Sequence, residues 1–333
     1  MFAFPSRFGR ARVYQGAAAG LVVLGLLVWW LAPFGAVSPQ GSVTFSTGVT
    51  TGVYQRYGTL LKDDLAHDLP RVSVDLVDSE GSQQNLARVA TGEADFTIAT
   101  ADAVAKYRRD GKEGADGLRG CARLYDDYVH LIAAKSAKVG SVGGLRGKTV
   151  GVGQQGSGVR LVAQRIMEAA GLDPDTDVTP VPAGIDTMPR LLEEGKLDAF
   201  FWSGGLPTNA VKELSERFAV TLVPLDASLI ERLHASGGAD ARYYRSAEIP
   251  ADAYDRMGNE KPVPTVAVAN LLVTDARIKD DLAEGFTRTV IKSRDRIGHE
   301  VHPAQLVDLR TAIYTDPLQL HDGARRYYQS VKP

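Results

Sequence analysis

A chain that repeats one strand and helix device about 100 residues further on is restricted to folds that hold two such units, and this sequence carries the repeat. Gly92-Glu93-Ala94-Asp95-Phe96 and Gly195-Lys196-Leu197-Asp198-Ala199-Phe200 each read as a glycine that stops a helix, an Asp, and a buried strand. The loops Thr50–Arg56 (TTGVYQR) and Gly156–Val162 (GSGVRLV) match in the same way. Short apolar runs at Val43–Ser46, Val72–Val77, Ala94–Ala99, Lys148–Val152, Val178–Val181 and Asp198–Trp202 alternate with helical patterns. One such helix carries Val159, Val162, Ala163, Ile166, Met167 and Ala170 on a single face. This is an α/β layout in two similar lobes. The runs Asp127–Ala134 and Thr265–Val273 are predicted to cross between them. One lobe is then 41–130 with 268–333 and the other 131–267, with a cleft between.

The first residues stand apart. Gly16–Val37 contains no charge, long enough to cross a bilayer as a helix at ~1.5 Å per residue. Arg7, Arg10 and Arg12 precede it and Trp29 and Trp30 sit near its far end. By the positive-inside rule, 1–12 are cytoplasmic, 13–37 a single-pass anchor in the cell membrane or uncleaved signal, and 41–333 extracytoplasmic. A cleaved signal peptide is the rival reading; its best cleavage site, Ala36-Val37-Ser38, is followed by Pro39.

Charge then excludes some functions. The 38 Lys+Arg against 40 Asp+Glu leave no basic excess for nucleic acid, and without the three N-terminal Arg the outer part has 35 against 40, a net −5. The single Cys121 forms no intrachain disulfide.

Several motifs fail on inspection. Gly151-Val152-Gly153-Gln154-Gln155-Gly156 is a literal G-x-G-x-x-G, but Asp173 and Asp175 lie before the next strand rather than at its end. Ser157-Gly158 stand where a P-loop needs Lys-Ser/Thr, and Ser157 lacks the flanking glycines of a nucleophile elbow. His299-Glu300-Val301-His302 is not H-E-x-x-H, and Asp173-Asp175-Asp177 lacks the Gly and Glu of a calcium loop. No triad, metal set or cofactor site emerges, and an enzyme is not expected. What remains is general: the turns at Thr50-Thr51-Gly52, Glu80-Gly81-Ser82 and Gln155–Gly158 open helices whose first N–H groups favour a small anion.

Taken together the segments Ser46–Gly58, Gly81–Phe96, Leu145–Arg160, Gly195–Gly205, Thr265–Val273 and Leu320–Tyr328 resemble the TAXI solute-binding subunits of TRAP transporters. The resemblance implies a two-lobed periplasmic-binding-protein fold, type II-like, each lobe a sheet flanked by helices. It implies capture of a small carboxylate, an organic acid or a glutamate- or glutamine-like amino acid, by a monomeric soluble region. The solute passes to a fused TRAP-type permease, with no cofactor. The alternative is a membrane-tethered sensor of the same fold. Carried over by position, Thr50, Thr51, Gly52 and Tyr54 would line the first lobe, with Gly81, Ser82 and Asn85 from the next helix start. Gln155, Gly156, Ser157, Gly158 and Arg160 would hold the solute from the second lobe, and Trp202, Ser203 and Gly204 would close over it. Asp102 and Asp127 complete the set, Asp127 standing where members of the family tend to have Glu.

Overall fold

In a computed structural model, which describes residues 39–236 and 238–331, the chain alternates strand and helix from its first described turn. The first half gives β1 (Gly41–Ser46), α1 (Val53–Asp68), β2 (Val72–Val77), α2 (Ser82–Thr91), β3 (Phe96–Thr100), α3 (Ala101–Arg109) and β4 (Leu118–Ala134). Next come β5 (Thr149–Gly151), α4 (Gly158–Ala169), β6 (Thr179–Val181), α5 (Met188–Glu193), β7 (Ala199–Gly204), α6 (Asn209–Arg217) and β8 (Val220–Leu222). The remainder is α7 (Ala227–Ser236), β9 (Tyr244–Ile249), β10 (Val263–Asp275), α8 (Asp280–Lys292), α9 (Arg294–Gly298), α10 (Leu309–Ala312) and α11 (Asp322–Val331). The expected cytoplasmic end and membrane segment, 1–12 and 13–37, lie outside the described residues. Among those described, no helix is long and apolar enough to cross a membrane.

The strands run β2-β1-β3-β10-β4-β7-β5-β6, with β8 also against β4 and β9 against β10. β1 lies parallel between β2 and β3, and β5 lies parallel between β6 and β7. Antiparallel β10 and β4 join the two triplets. The order therefore reads alike from either edge, as a duplicated unit about the β10–β4 pair. The repeat seen in sequence is also a repeat of hydrogen bonds. Asp95 accepts the Thr44 N–H at 2.9 Å and returns its own N–H to the Thr44 carbonyl at 2.8 Å. Asp198 does the same with Thr149, at 2.9 and 2.8 Å.

The expectation was a sheet in each lobe with two runs crossing between them; those crossing strands hydrogen-bond the whole into one connected sheet. The cause is the length of the central pair, seventeen residues in β4 and thirteen in β10. At ~3.3 Å per residue each outruns a single core. β4 starts at Leu118, nine residues before Asp127, because Arg119 and Arg123 interrupt the apolar pattern without interrupting the strand.

Buried apolar side chains gather into two large clusters. One is drawn from 129–268 and includes Leu131, Ile166, Phe200 and Phe201. The other takes Phe45, Leu61, Phe96, Phe286 and Tyr328 from both ends of the described chain, with the Phe96 and Phe286 rings stacked 3.9 Å apart. A smaller third cluster brings Leu161 of α4 against the group containing Leu86 of α2.

Candidate functional site

Ligands of open α/β sheets bind beyond the carboxyl ends of the parallel strands, where helices begin and backbone N–H groups are free. Here those ends are Gly48 and Val49 after β1, Thr100 closing β3, Gly153 and Gln154 after β5, and Ser203 and Gly204 closing β7. All of them line one cavity of about 620 Å³, its open mouth included.

Two helix starts face it. α1 begins after Gly52 with no side-chain cap, and the N–H groups of Val53 and Tyr54 have no acceptor among the described residues. α4 begins at Gly158; Ser157 caps it by accepting the Arg160 N–H at 3.0 Å and donates its own hydroxyl to the Gln154 carbonyl at 2.7 Å. The N–H groups of Gly158 and Val159 stay free of protein acceptors among the described residues. The third start, expected to be open to an anion, is occupied. Gly156, at φ 90°, directs its carbonyl onto α2, where it accepts from the N–H groups of Gln83 and Gln84 at 3.0 and 3.1 Å. The Gln83 side chain also donates to the Ser157 carbonyl at 2.8 Å.

The floor is polar and unsatisfied. Thr100 on β3, Asp127 on β4 and Ser203 on β7 line the cavity, and Asn270 on β10, the strand between the first two, backs it from beneath the lining. Each is buried, and each has an atom without a hydrogen-bond partner: Thr100 Oγ1, Asn270 Nδ2, Asp127 Oδ1 and Ser203 Oγ. Leaving such a group unmet costs about 1–3 kcal/mol. Tyr54 reaches down from α1 to donate its hydroxyl to Asn270 Oδ1, and stands 3.2 Å from Ser82 Oγ. Burial pushes the Asp127 carboxyl up to about 7. The Asn270 amide, close by though outside hydrogen-bond geometry, holds it down, while Asp126 and Asp102 push it further up.

The walls are apolar. Val159, Ala183, Ile185, Met188 and Trp202 form them. The Trp202 indole is fixed by donating to Thr208 Oγ1 at 3.1 Å. Thr208 in turn donates its N–H to the Tyr254 hydroxyl, which lies 2.9 Å from His130 Nε2. His130 is buried, and that burial lowers it to about 4, so the ring is neutral at pH 7.

Residues 45–331 match the NMT1-like family. The chain belongs to that family. Among solved structures, this NMT1-like chain is similar to the alkanesulfonate-binding protein SsuA from Xanthomonas axonopodis pv. citri bound to MOPS. The identity is 14%, over 90% of this chain and 86% of that one, with a TM-score of 0.50. It is also similar to a binding protein component of an ABC phosphonate transporter from Pseudomonas aeruginosa, 12% identical over 80% of each chain, TM-score 0.52. Likeness at that identity speaks for the fold: an α/β, periplasmic-binding-protein-like sheet with flanking helices.

Of the residues singled out in the sequence, Gly52, Tyr54, Gly81, Ser82, Asp127, Ser157, Gly158, Trp202, Ser203 and Gly204 line the cavity of this NMT1-like chain. The others do not. Thr50 and Thr51 lie on an exposed depression with Arg56 and Glu300. Asn85 is buried behind the floor, accepting from the Ser46 and Ser79 hydroxyls and donating to the Thr47 and Ile98 carbonyls. Asp102 accepts the Tyr244 hydroxyl at 2.6 Å. Gln155 is exposed, and Gln154 takes the lining position. Gly156 serves α2. Arg160 points away, 3.7 Å from Asp175. The sequence reading passed over Thr100, Asn270, Ile185 and Met188. Asn270 had a signal, a lone amide in the apolar run TVAVANLLV. The Asp173–Asp177 turn uses its carboxylates on its own backbone, and His299 and His302 are exposed.

Proposed function

We propose that this protein captures a small carboxylate-bearing solute between its two halves and delivers it to a membrane permease of the TRAP type. The observation that carries the reading is the cavity itself, built from loops of both repeated units over a buried floor with unmet hydrogen-bonding atoms. Free amides at the starts of α1 and α4 supply positive ends for a carboxylate without any basic side chain. In this reading residues 41–130 with 268–333 form one lobe and 131–267 the other. Binding favours the closed arrangement because only there do both lobes touch the solute. Residues 13–37 hold the chain in the cell membrane with 41–333 outside. In this reading the protein binds its solute without turnover.

The test is a thermal-shift screen of the full chain against organic acids and amino acids. A solute at ~100 times its Kd stabilises the fold by ~2.7 kcal/mol, a rise of a few degrees in Tm. The expected hit weakens when Tyr54 or Ser203 is truncated. Absence of any shift across the screen, from a sample that melts cooperatively, refutes capture. Co-purification with a permease tests delivery.

A further inference from the structure

We propose that the solute carries an ammonium or comparable N–H donor group, received by Asp127 on the cavity floor, and no more than one carboxylate. The inference rests on the capture reading above and narrows its solute class. Three observations carry it. First, the charged side chains lining the cavity are Glu80 and Asp127, and no Lys, Arg or His lines it among the described residues. A dianion would set its second carboxylate against these acids, with only the free amides of two helix starts to hold it. Second, Asp127 is 4% exposed and its Oδ1 has no partner in the protein, while Ser203 Oγ and Thr100 Oγ1 on neighbouring strands are also free. An ionised carboxylate only accepts, so the group that satisfies it must donate. Third, no cation faces Asp127 among the described residues, Arg123 and Arg245 being paired with Asp126. The groups facing it are Asp126 and Tyr125 on its own strand, Asn270 on β10, Tyr54 on α1 and Asp102 on α3. Arg165, which is buried, is already paired with Asp240 at 2.8 Å.

A donor-bearing solute therefore does what the protein leaves undone. Its ammonium meets Asp127, its single carboxylate meets the amides of α1 and α4, and its remaining carbons lie against Ile185, Met188 and Trp202. An organic acid of the same skeleton would leave Asp127 unmet, or force it to hold a proton and donate.

These two arrangements differ in proton traffic, which gives the test. Isothermal titration of the full chain uses the standard L-amino acids beside the keto acids and dicarboxylates of matching carbon skeleton, each in two buffers of different ionisation heat. Under the proposal the amino compound of a matched pair binds at least tenfold more tightly, releases a proton below pH 7, and gains affinity from pH 6 to pH 8. Asp127→Asn then brings the pair within about threefold of each other, with the fold checked by its own melt. Ser203→Ala weakens the amino compound in a background that keeps Asp127. A keto acid or dicarboxylate that binds more tightly than its amino partner, or that takes up a proton on binding, overturns the proposal and leaves capture standing. Binding by no compound of either class overturns capture, and this inference with it.

Discussion

Removing the charge at Asp127 stabilises the solute-free protein, and it does so only where that charge exists. The carboxyl is 4% exposed and burial lifts it from 3.8 to about 7. Between those values the unfolded chain has ionised while the folded chain still holds the proton. Stability therefore falls as pH rises through this window and levels off above about 7. At ~1.4 kcal/mol for each factor of ten, the whole displacement corresponds to a ceiling of about 4 kcal/mol. An Asn amide in the same place keeps the shape but remains a poorly met polar group, which returns ~1 kcal/mol or more. The expected gain for Asp127→Asn is thus about 2–3 kcal/mol at pH 8 and close to zero or slightly negative at pH 4. His130 acts in the opposite sense. Its folded value of about 4 lies below the ordinary 6.5, so its contribution grows as pH rises between them. His130 is present in both proteins, so the difference between them isolates Asp127. Urea unfolding of the two full chains at pH 4, 6 and 8, without solute, measures it. A difference that stays constant across the three pH values refutes the argument, because a packing change carries no proton.

Further substitutions separate framework from site. Asn85→Ala removes four buried hydrogen bonds and should cost about 2–4 kcal/mol in urea unfolding, while a solute bound in the cavity keeps its affinity within threefold. Ser157→Ala removes the α4 cap for about 1 kcal/mol, and Ser157→Asp restores most of it, read from the melting temperature. Tyr244→Phe takes the hydroxyl from the buried Asp102 and should cost about 1–3 kcal/mol, read from urea unfolding. Gly204→Ala places a methyl group 2.5 Å from the Trp202 indole nitrogen, displacing the ring from Thr208; a loss of about 1–3 kcal/mol and weaker solute binding are expected from melts with and without solute.

How far the fold was legible depended on whether the signal was local. Asp95 and Asp198 each follow a helix-stopping glycine and each clasp a neighbouring parallel strand, so local spacing carried the repeat. The single sheet was not legible, because β4 and β10 meet 139 or more residues apart in sequence and Arg119 and Arg123 mask the first half of β4. Site residues were legible at helix starts, where backbone geometry decides direction. They were misplaced by one position at Gln155 and by two at Asp102, where a loop or a strand-to-helix junction rotates the side chain away and Gln154 and Thr100 take the place. Arg160 lies three residues beyond its cap, far enough round the helix to leave the cavity. Asn270 completes the floor only through pairing with β3, a contact of residues 170 apart.

The Gly156 carbonyl on the first turn of α2 has one more consequence. It supplies, from within the chain, the oxygen that a solvent anion would otherwise bring to those amides. Because it is tethered, its effective concentration there far exceeds that of a dilute solute. Dissolved phosphate or sulfate must therefore displace a tethered carbonyl before it can reach the Gln83 and Gln84 amides. Concentrated sulfate should then loosen the α2 contact, seen as faster amide hydrogen exchange at Gln83 and Gln84, while the floor formed by Thr100, Asn270, Asp127 and Ser203 keeps its protection.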